Sequence, residues 1–153
     1  MTNNDILRRI RYTFDISDSK MIAIFALADH KVTREQTSNW LKKEEDEDYQ
    51  VLSDIHLATF LNGFINDKRG KKEGPQHEPE KRLTNNIIFM KLKIALNMQA
   101  EDVLKIMEMA GFQMSKHELS AFFRKASHKH YRECKDQILR NFLKGIQLKY
   151  RDA

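Results

Sequence analysis

Two segments of the chain, DIHLATFLNG at residues 54–63 and DQILRNFLKG at residues 136–145, are copies of one pattern. They share an aspartate, two leucines, a phenylalanine and a glycine at the same places. The match extends outward without a gap, since residue n pairs with residue n+82 over residues 2–69 and 84–151. Self-similarity of this kind is the sequence signature of a duplicated structural unit.

Each copy has the apolar spacing of α-helices and lacks the period-two alternation of β-strands. An asparagine pair, at residues 3–4 and again at residues 85–86, precedes the first apolar stripe and is predicted to cap the first helix. Residues 33–36 (TREQ) and 115–118 (SKHE) have the pattern of a capping box, which predicts a further helix start at equivalent places. With two other helical segments, the sequence predicts four helices in each copy.

A glycine lies inside the last predicted helix of each copy, at Gly63 and Gly145. In an exposed helix a glycine costs about 1 kcal/mol relative to alanine. A duplicated glycine therefore indicates that another backbone approaches closely at this place. We expect helix-on-helix packing there, between the two last helices.

The predicted fold class is all-α, with two tandem four-helix repeats in a pseudo-symmetric arrangement. The first repeat spans residues 2–69 and the second spans residues 82–151, with a linker at residues 70–81. The linker holds both prolines of the chain and two of its five glycines, which predicts a flexible or extended connection. Each repeat is small for a unit that folds alone, so we expect the two repeats to share apolar surface.

The net charge of +5 is unevenly spread. Residues 82–153 contain 14 basic and 7 acidic side chains, whereas acidic residues outnumber basic ones in residues 1–70. This asymmetry indicates an anionic partner for the second repeat, or divergence of a solvated face. A single cysteine excludes an intramolecular disulfide. The N-terminus lacks the apolar core of a signal peptide and no apolar stretch reaches membrane-spanning length, so we expect a cytoplasmic protein without membrane contact.

The second repeat contains a basic region that is a candidate for contacts with nucleic acid. Its candidate phosphate-contacting residues are Arg124, Lys125, Lys129, Arg132, Lys135 and Arg140. Tyr131 is a candidate for stacking on an unpaired base. Its counterpart Tyr49 lies beside the acidic run Glu44–Asp48, so a packing role for both tyrosines is the alternative.

His128, His130 and Cys134 form a cluster of soft metal ligands in the sequence. His130 and Cys134 are four residues apart, so a helix would place both on one face, where zinc accepts such side chains. Basic neighbours would lower the pKa of the Cys134 thiol and favour a nucleophile. A structural zinc site needs a fourth ligand, however, and a buried structural thiol is the alternative.

Four segments of the chain resemble a known family: NNDILR at residues 3–8, NNII at 85–88, FLNGF at 60–64 and HKHYRECKDQ at 128–137. Together they resemble domain-of-unknown-function family 1456, the small bacterial YehS-like proteins that carry this domain in tandem. The resemblance covers essentially the whole chain and implies two similar helical domains. It implies no activity, substrate or catalytic residue.

The leading functional hypothesis is a non-enzymatic binding or adaptor protein, which holds a macromolecular partner in a groove between the repeats or on its charged faces. No glycine-rich phosphate loop, nucleophile elbow or paired-carboxylate pattern is present, so we expect neither an enzyme nor a cofactor. The alternative is nucleic-acid binding through the basic second repeat. A second alternative is a metal-binding or catalytic protein that uses His128, His130 and Cys134.

Overall fold

The computed structural model describes all residues from Met1 to Ala153 and contains eight α-helices and no β-strand. The helices of the first copy are α1 (Asn3–Thr13), α2 (Asp18–Leu27), α3 (Arg34–Leu41) and α4 (Asp54–Arg69). Those of the second copy are α5 (Asn85–Ala95), α6 (Ala100–Met109), α7 (Lys116–Ala121) and α8 (Asp136–Tyr150). The prediction of an all-α fold with four helices in each copy is confirmed. No helix is long and apolar enough to span a membrane.

Both predicted capping boxes are present at the starts of α3 and α7. The Thr33 hydroxyl accepts a hydrogen bond from the Gln36 backbone N–H at 3.1 Å, and the Gln36 side chain accepts one from the Thr33 N–H at 2.8 Å. Ser115 and Glu118 form the same reciprocal pair in the second copy. These contacts satisfy N–H groups that the first turn of a helix leaves without a partner.

The prediction that the asparagine pairs cap the first helix of each copy is wrong. Thr2 is the N-cap of α1 and Thr84 is the N-cap of α5, each through its hydroxyl. The asparagines lie in the first turn of these helices instead. Their side chains are therefore available for contacts outside the helix.

The chain forms two compact units, Met1–Leu83 (unit 1) and Thr84–Ala153 (unit 2). The segment after α4 belongs to unit 1 and is tied to that helix by side chains. Asn66 Nδ2 donates a hydrogen bond to Gln76 Oε1 at 3.0 Å, and Asn62 Nδ2 donates one to the His77 carbonyl at 3.3 Å.

Each unit is built around an aromatic core. In unit 1 the ring of Phe25 on α2 lies 5.5 Å from those of both Trp40 and Phe60. Trp40 is also 5.0 Å from the imidazole of His56, whose pKa is lowered by burial and by the nearby His30. In unit 2 Phe89 and Phe142 are the central pair, at 4.6 Å. Burial of these side chains is the main favourable term in folding each unit.

A close contact between two helices occurs at the helical glycine of each unit. A Cβ atom built on Gly63 would overlap the carbonyl oxygen of Ile24 on α2, and one built on Gly145 would overlap that of Ile106 on α6. The close backbone approach expected from the sequence is present. The approaching helix is the second helix of the same unit. The expectation that the two last helices meet at these glycines is therefore wrong.

We expect Gly63→Ala and Gly145→Ala each to lower the free energy of unfolding by about 1–3 kcal/mol, because the added methyl overpacks the contact with the facing carbonyl. Chemical denaturation measures the change. Alanine at an exposed helical glycine would instead stabilise by about 1 kcal/mol, so a stabilised variant would contradict the packing described. Lys144→Ala, on the exposed face of α8, is the control and should change stability by less than about 0.5 kcal/mol.

Candidate functional site

Two irregular connections with the same backbone path contain the acidic run and most of the basic region described above. The acidic loop, residues 42–53, joins α3 to α4, and its counterpart, the basic loop of residues 124–135, lies between α7 and α8. In the acidic loop the Tyr49 N–H donates to the Asp46 carbonyl at 3.1 Å, and in the basic loop the Tyr131 N–H donates to the His128 carbonyl at 3.0 Å. These residues are related by n+82.

A second hydrogen bond repeats in the two loops although the side chain that makes it differs. The Asp48 N–H donates to Asp46 Oδ1 at 2.9 Å in the acidic loop. The His130 N–H donates to His128 Nδ1 at 3.0 Å in the basic loop. An imidazole nitrogen thus replaces a carboxylate oxygen and keeps the same turn.

A buried asparagine of α1 holds the acidic loop in place. Asn4 is 1% exposed, and its Nδ2 donates to the carbonyls of Trp40 at 2.9 Å and Gln50 at 2.8 Å. Its Oδ1 accepts from the Leu52 N–H at 3.0 Å. Both N–H groups and the oxygen of the amide are thereby used. One side chain thus connects the end of α3 to Gln50 and Leu52 in the last part of the loop.

Asn86 on α5 makes the same three bonds to the basic loop. Its Nδ2 donates to the carbonyls of Phe122 at 3.0 Å and Arg132 at 2.8 Å, and its Oδ1 accepts from the Cys134 N–H at 2.9 Å. Asn86 is 4% exposed. We call the contacts of Asn4 and Asn86 the asparagine clamp.

The neighbouring asparagine of each pair reinforces the clamp at the start of the next helix. In unit 2, Asn85 Nδ2 donates to the Cys134 carbonyl at 3.0 Å and to Asp136 Oδ1 at 2.8 Å. The second bond lowers the pKa of the Asp136 carboxyl. Asn3 contacts the equivalent groups in unit 1. The sequence did not lead us to predict this role. The signal was present, however: only one residue can be the N-cap of a helix, so the second asparagine of each pair needed another function.

The predicted phosphate-contacting residues lie mainly on the basic loop. Four of its cations are exposed, namely Lys125, Lys129, Arg132 and Lys135, while Arg124 is half-buried. Arg140 is exposed on α8 and donates to Gln137 Oε1 at 3.1 Å. Tyr131 is half-buried, and so is its counterpart Tyr49. Most of the candidate cations therefore lie on one loop, and the half-buried ring of Tyr131 is less accessible for stacking.

The acidic loop presents the opposite charge from the same backbone. Glu44–Asp48 are all exposed, with the Asp48 carboxylate 3.6 Å from Lys42 Nζ. A cleft of about 380 Å³ adjoins this loop; its lining includes Glu35, Asn39 and Gln50. Its polar lining offers acceptors to a cationic or amide side chain.

The cluster of His128, His130 and Cys134 does not form a shared helical face. All three precede α8, which begins at Asp136, so the i, i+4 interpretation of His130 and Cys134 is wrong. The His128 and His130 rings are exposed, with centroids 5.6 Å apart. Cys134 is 2% exposed and lies in the core. No three His, Cys, Asp or Glu side chains in the structure are grouped so that they could hold a metal ion.

The interpretation of Cys134 as a nucleophile with a lowered pKa is also wrong, whereas the alternative, a buried structural thiol, agrees with the structure. Burial raises the pKa of its thiol to about 12, and the carboxylates of Asp136 and Glu133 act in the same direction. These effects outweigh the basic residues nearby in the sequence. Since the thiolate is the nucleophilic form of cysteine, the side chain is unreactive where it lies.

A family model described as "Protein of unknown function (DUF1456)" matches the chain twice, at residues 3–70 and 85–152. The chain belongs to this family. The "Uncharacterized protein YehS" of Escherichia coli (strain K12) is 44% identical over 147 residues, which is 95% of this chain and 94% of that protein. No solved structure matches the chain with statistical significance. The resemblance to the YehS-like DUF1456 proteins is therefore confirmed, and the two matches contain one asparagine clamp each.

We expect Asn86→Ala to lower the free energy of unfolding of unit 2 by about 2 kcal/mol or more, because it leaves two buried backbone groups and one part-buried carbonyl without their partner, at roughly 1–3 kcal/mol for each buried group. Urea denaturation measures this loss, and hydrogen exchange at the Cys134 amide should accelerate. Asn141→Ala, which removes a surface hydrogen bond to Gln137, is the matched control. Equal stability of the two variants would contradict the clamp.

We expect the native Cys134 thiol to react with a disulfide reagent at least about a hundredfold more slowly than the unfolded chain at about pH 8, since burial and the raised pKa both suppress the thiolate. The release of the coloured thiol measures the rate. The same chain in guanidinium chloride is the control. A native rate close to the unfolded rate would mean that Cys134 is accessible, and would restore it as a candidate nucleophile.

Proposed function

We propose that the protein is a non-enzymatic binding protein that holds charged macromolecules through its acidic loop and its basic loop, in the manner of an adaptor. The observation that carries the proposal is the repetition of one clamped backbone with opposite exposed charge. A surface free of functional demand needs neither a fixed conformation nor a consistent sign of charge. Each loop has both.

The asparagine clamp supports the proposal because it fixes the loops before any partner arrives. Binding by a mobile loop loses free energy to ordering of its backbone and side chains, and a preformed loop avoids much of this loss. The exposed charges then attract partners of the opposite sign over a distance of about one Debye length, 8–10 Å at physiological ionic strength. The two loops thereby select different partners.

The acidic loop suits a basic protein segment. Its five successive carboxylates attract lysine and arginine side chains, and the adjoining cleft lined by Glu35, Asn39 and Gln50 offers acceptors to one of them. Charge complementarity of this kind adds more to specificity and to the rate of association than to affinity.

The chemistry of the reactive side chains supports binding over catalysis. The thiol of Cys134 lies in the core with a pKa raised to about 12. His128 and His130 lie on an exposed loop, where His128 Nδ1 already accepts the backbone N–H of His130. An imidazole in this arrangement holds the turn.

Affinity capture from bacterial lysate with the full chain tests the proposal. We compare wild type with an acidic-loop variant, E44K/E45K/E47K, and with a control that carries the same charge change outside the loop, E73K/E78K/E108K; all six glutamates are exposed. We expect the loop variant to lose wild-type partners by about tenfold or more, in a salt-sensitive way, and the control to keep them.

The basic loop has its own variant, K125E/K129E/R132E, and its own control, K72E/K81E/K105E, again at exposed positions. The partners that this variant loses should differ from those that the acidic-loop variant loses. Retention of all partners by both loop variants would overturn the proposal. Circular dichroism and thermal unfolding establish that each variant is folded.

A further inference from the structure

We infer that the basic loop binds single-stranded nucleic acid, with its cations on the phosphates and the exposed imidazole rings of His128 and His130 against the bases. The inference rests on the proposed function and names the partner of one of its two loops. Four features of the described residues carry it: free cations, exposed rings between them, a fixed backbone, and a sister loop of opposite charge.

The cations of the basic loop are exposed and mostly uncommitted. Lys125 and Lys129 form no ion pair with a carboxylate, whereas Lys135 lies 3.2 Å from Glu133 and Arg132 interacts electrostatically with the Glu118 carboxylate. A cation that is already paired within the protein must give up that partner before it neutralises a phosphate. Lys125 and Lys129 have no such cost, and they release counterions from the nucleic acid on binding.

Two aromatic rings interrupt the run of cations. His128 and His130 flank Lys129, and their ring planes are inclined by 42° with centroids 5.6 Å apart. Imidazole rings stack on unpaired bases, as phenyl and indole rings do. An acidic protein would use the cations and have no need of the rings. Alternation of cation and ring is the combination that single strands require, since their backbone and base faces are both accessible.

Comparison with the acidic loop shows what distinguishes the two copies. Asp46 and Asp48 occupy the places of His128 and His130. The turn survives the replacement, since His128 Nδ1 takes over the hydrogen bond that Asp46 Oδ1 accepts. The exchange thus removes two carboxylates that repel phosphate and adds two flat rings, while the backbone stays the same. The acidic loop is an internal negative control for nucleic-acid binding.

Substitution of His130 gives the clearest test of stacking, because its ring makes no hydrogen bond within the loop; only its backbone N–H is used. His130→Ala therefore removes a stacking surface, together with its contact with the His128 ring, and breaks no hydrogen bond. His130→Phe restores an aromatic face without the possibility of positive charge. Tyr131 is half-buried, like Tyr49 in the acidic loop, and is the weaker stacking candidate.

Fluorescence anisotropy of labelled single-stranded RNA and DNA oligonucleotides, titrated with the full chain at several salt concentrations, tests the inference. Wild type should bind with affinity that falls steeply with salt, by a slope of about −0.7 per phosphate neutralised. K125E/K129E/R132E should weaken binding by about tenfold or more and reduce the slope by about 2. The control K72E/K81E/K105E, with the same net charge, should stay within about twofold of wild type.

The ring variants separate stacking from general attraction. His130→Ala should weaken binding by about fivefold or more with an unchanged salt slope, and His130→Phe should restore it. Equal affinity of wild type and both variants would overturn the stacking contact. Absence of oligonucleotide binding by wild type, or equal loss in the loop and control triple variants, would overturn the inference as a whole.

The proposed function is judged separately by capture from nuclease-treated lysate. If wild type binds no oligonucleotide but the basic-loop variant still loses a specific protein, the inference fails and the binding function stands. If neither oligonucleotide binding nor protein binding depends on the basic loop, both the inference and the proposed function fail for unit 2. A duplex of the same sequence should bind more weakly than either single strand, because its bases are unavailable for stacking.

Discussion

The buried amide of one asparagine in each unit is the constraint on which the loops depend. A long connection without regular structure has backbone groups that no helix ladder satisfies, and leaving such groups buried and unpaired is costly. Asn4 and Asn86 satisfy three of them at once and join the first helix of each unit to the end of the third. Between these fixed points the exposed residues have little effect on folding. The clamp thus separates the chemistry of the loop from the stability of the unit.

This separation explains why the two copies have diverged in their loops and not in their cores. Core positions keep their apolar character, as Phe60 and Phe142 do. Loop positions do not keep their charge, since the five carboxylates of Glu44–Asp48 are replaced by Ala126, Ser127, His128, Lys129 and His130. Surface substitutions away from buried contacts usually alter stability by less than about 0.5 kcal/mol. A duplicated gene product with a clamp of this kind has two surfaces that can diverge independently while each retains the parental fold.

The sequence sufficed for features that depend on neighbouring residues and failed where distant ones decide. The capping boxes at residues 33–36 and 115–118 were predictable because both partners lie within one turn. The role of Asn86 was not, since its partners are 36, 46 and 48 residues away. The spacing of His130 and Cys134 suggested a helix. The Asn86 side chain instead holds this segment in an irregular conformation, through its hydrogen bonds to the Arg132 carbonyl and the Cys134 N–H. The exposed cations were identified correctly as a group, because long charged side chains rarely lie in a core.

The core of unit 1 contains the one tryptophan of the chain, Trp40, and unit 2 has phenylalanine at the equivalent place. Selectively excited tryptophan fluorescence of the unmodified protein therefore follows the unfolding of unit 1, whereas unit 2 has only tyrosines and phenylalanines as fluorescent side chains. Far-ultraviolet circular dichroism sees the helices of both. Whether the duplicated halves melt as one cooperative block or in succession can thus be learned by overlaying two optical signals, with no label or truncation.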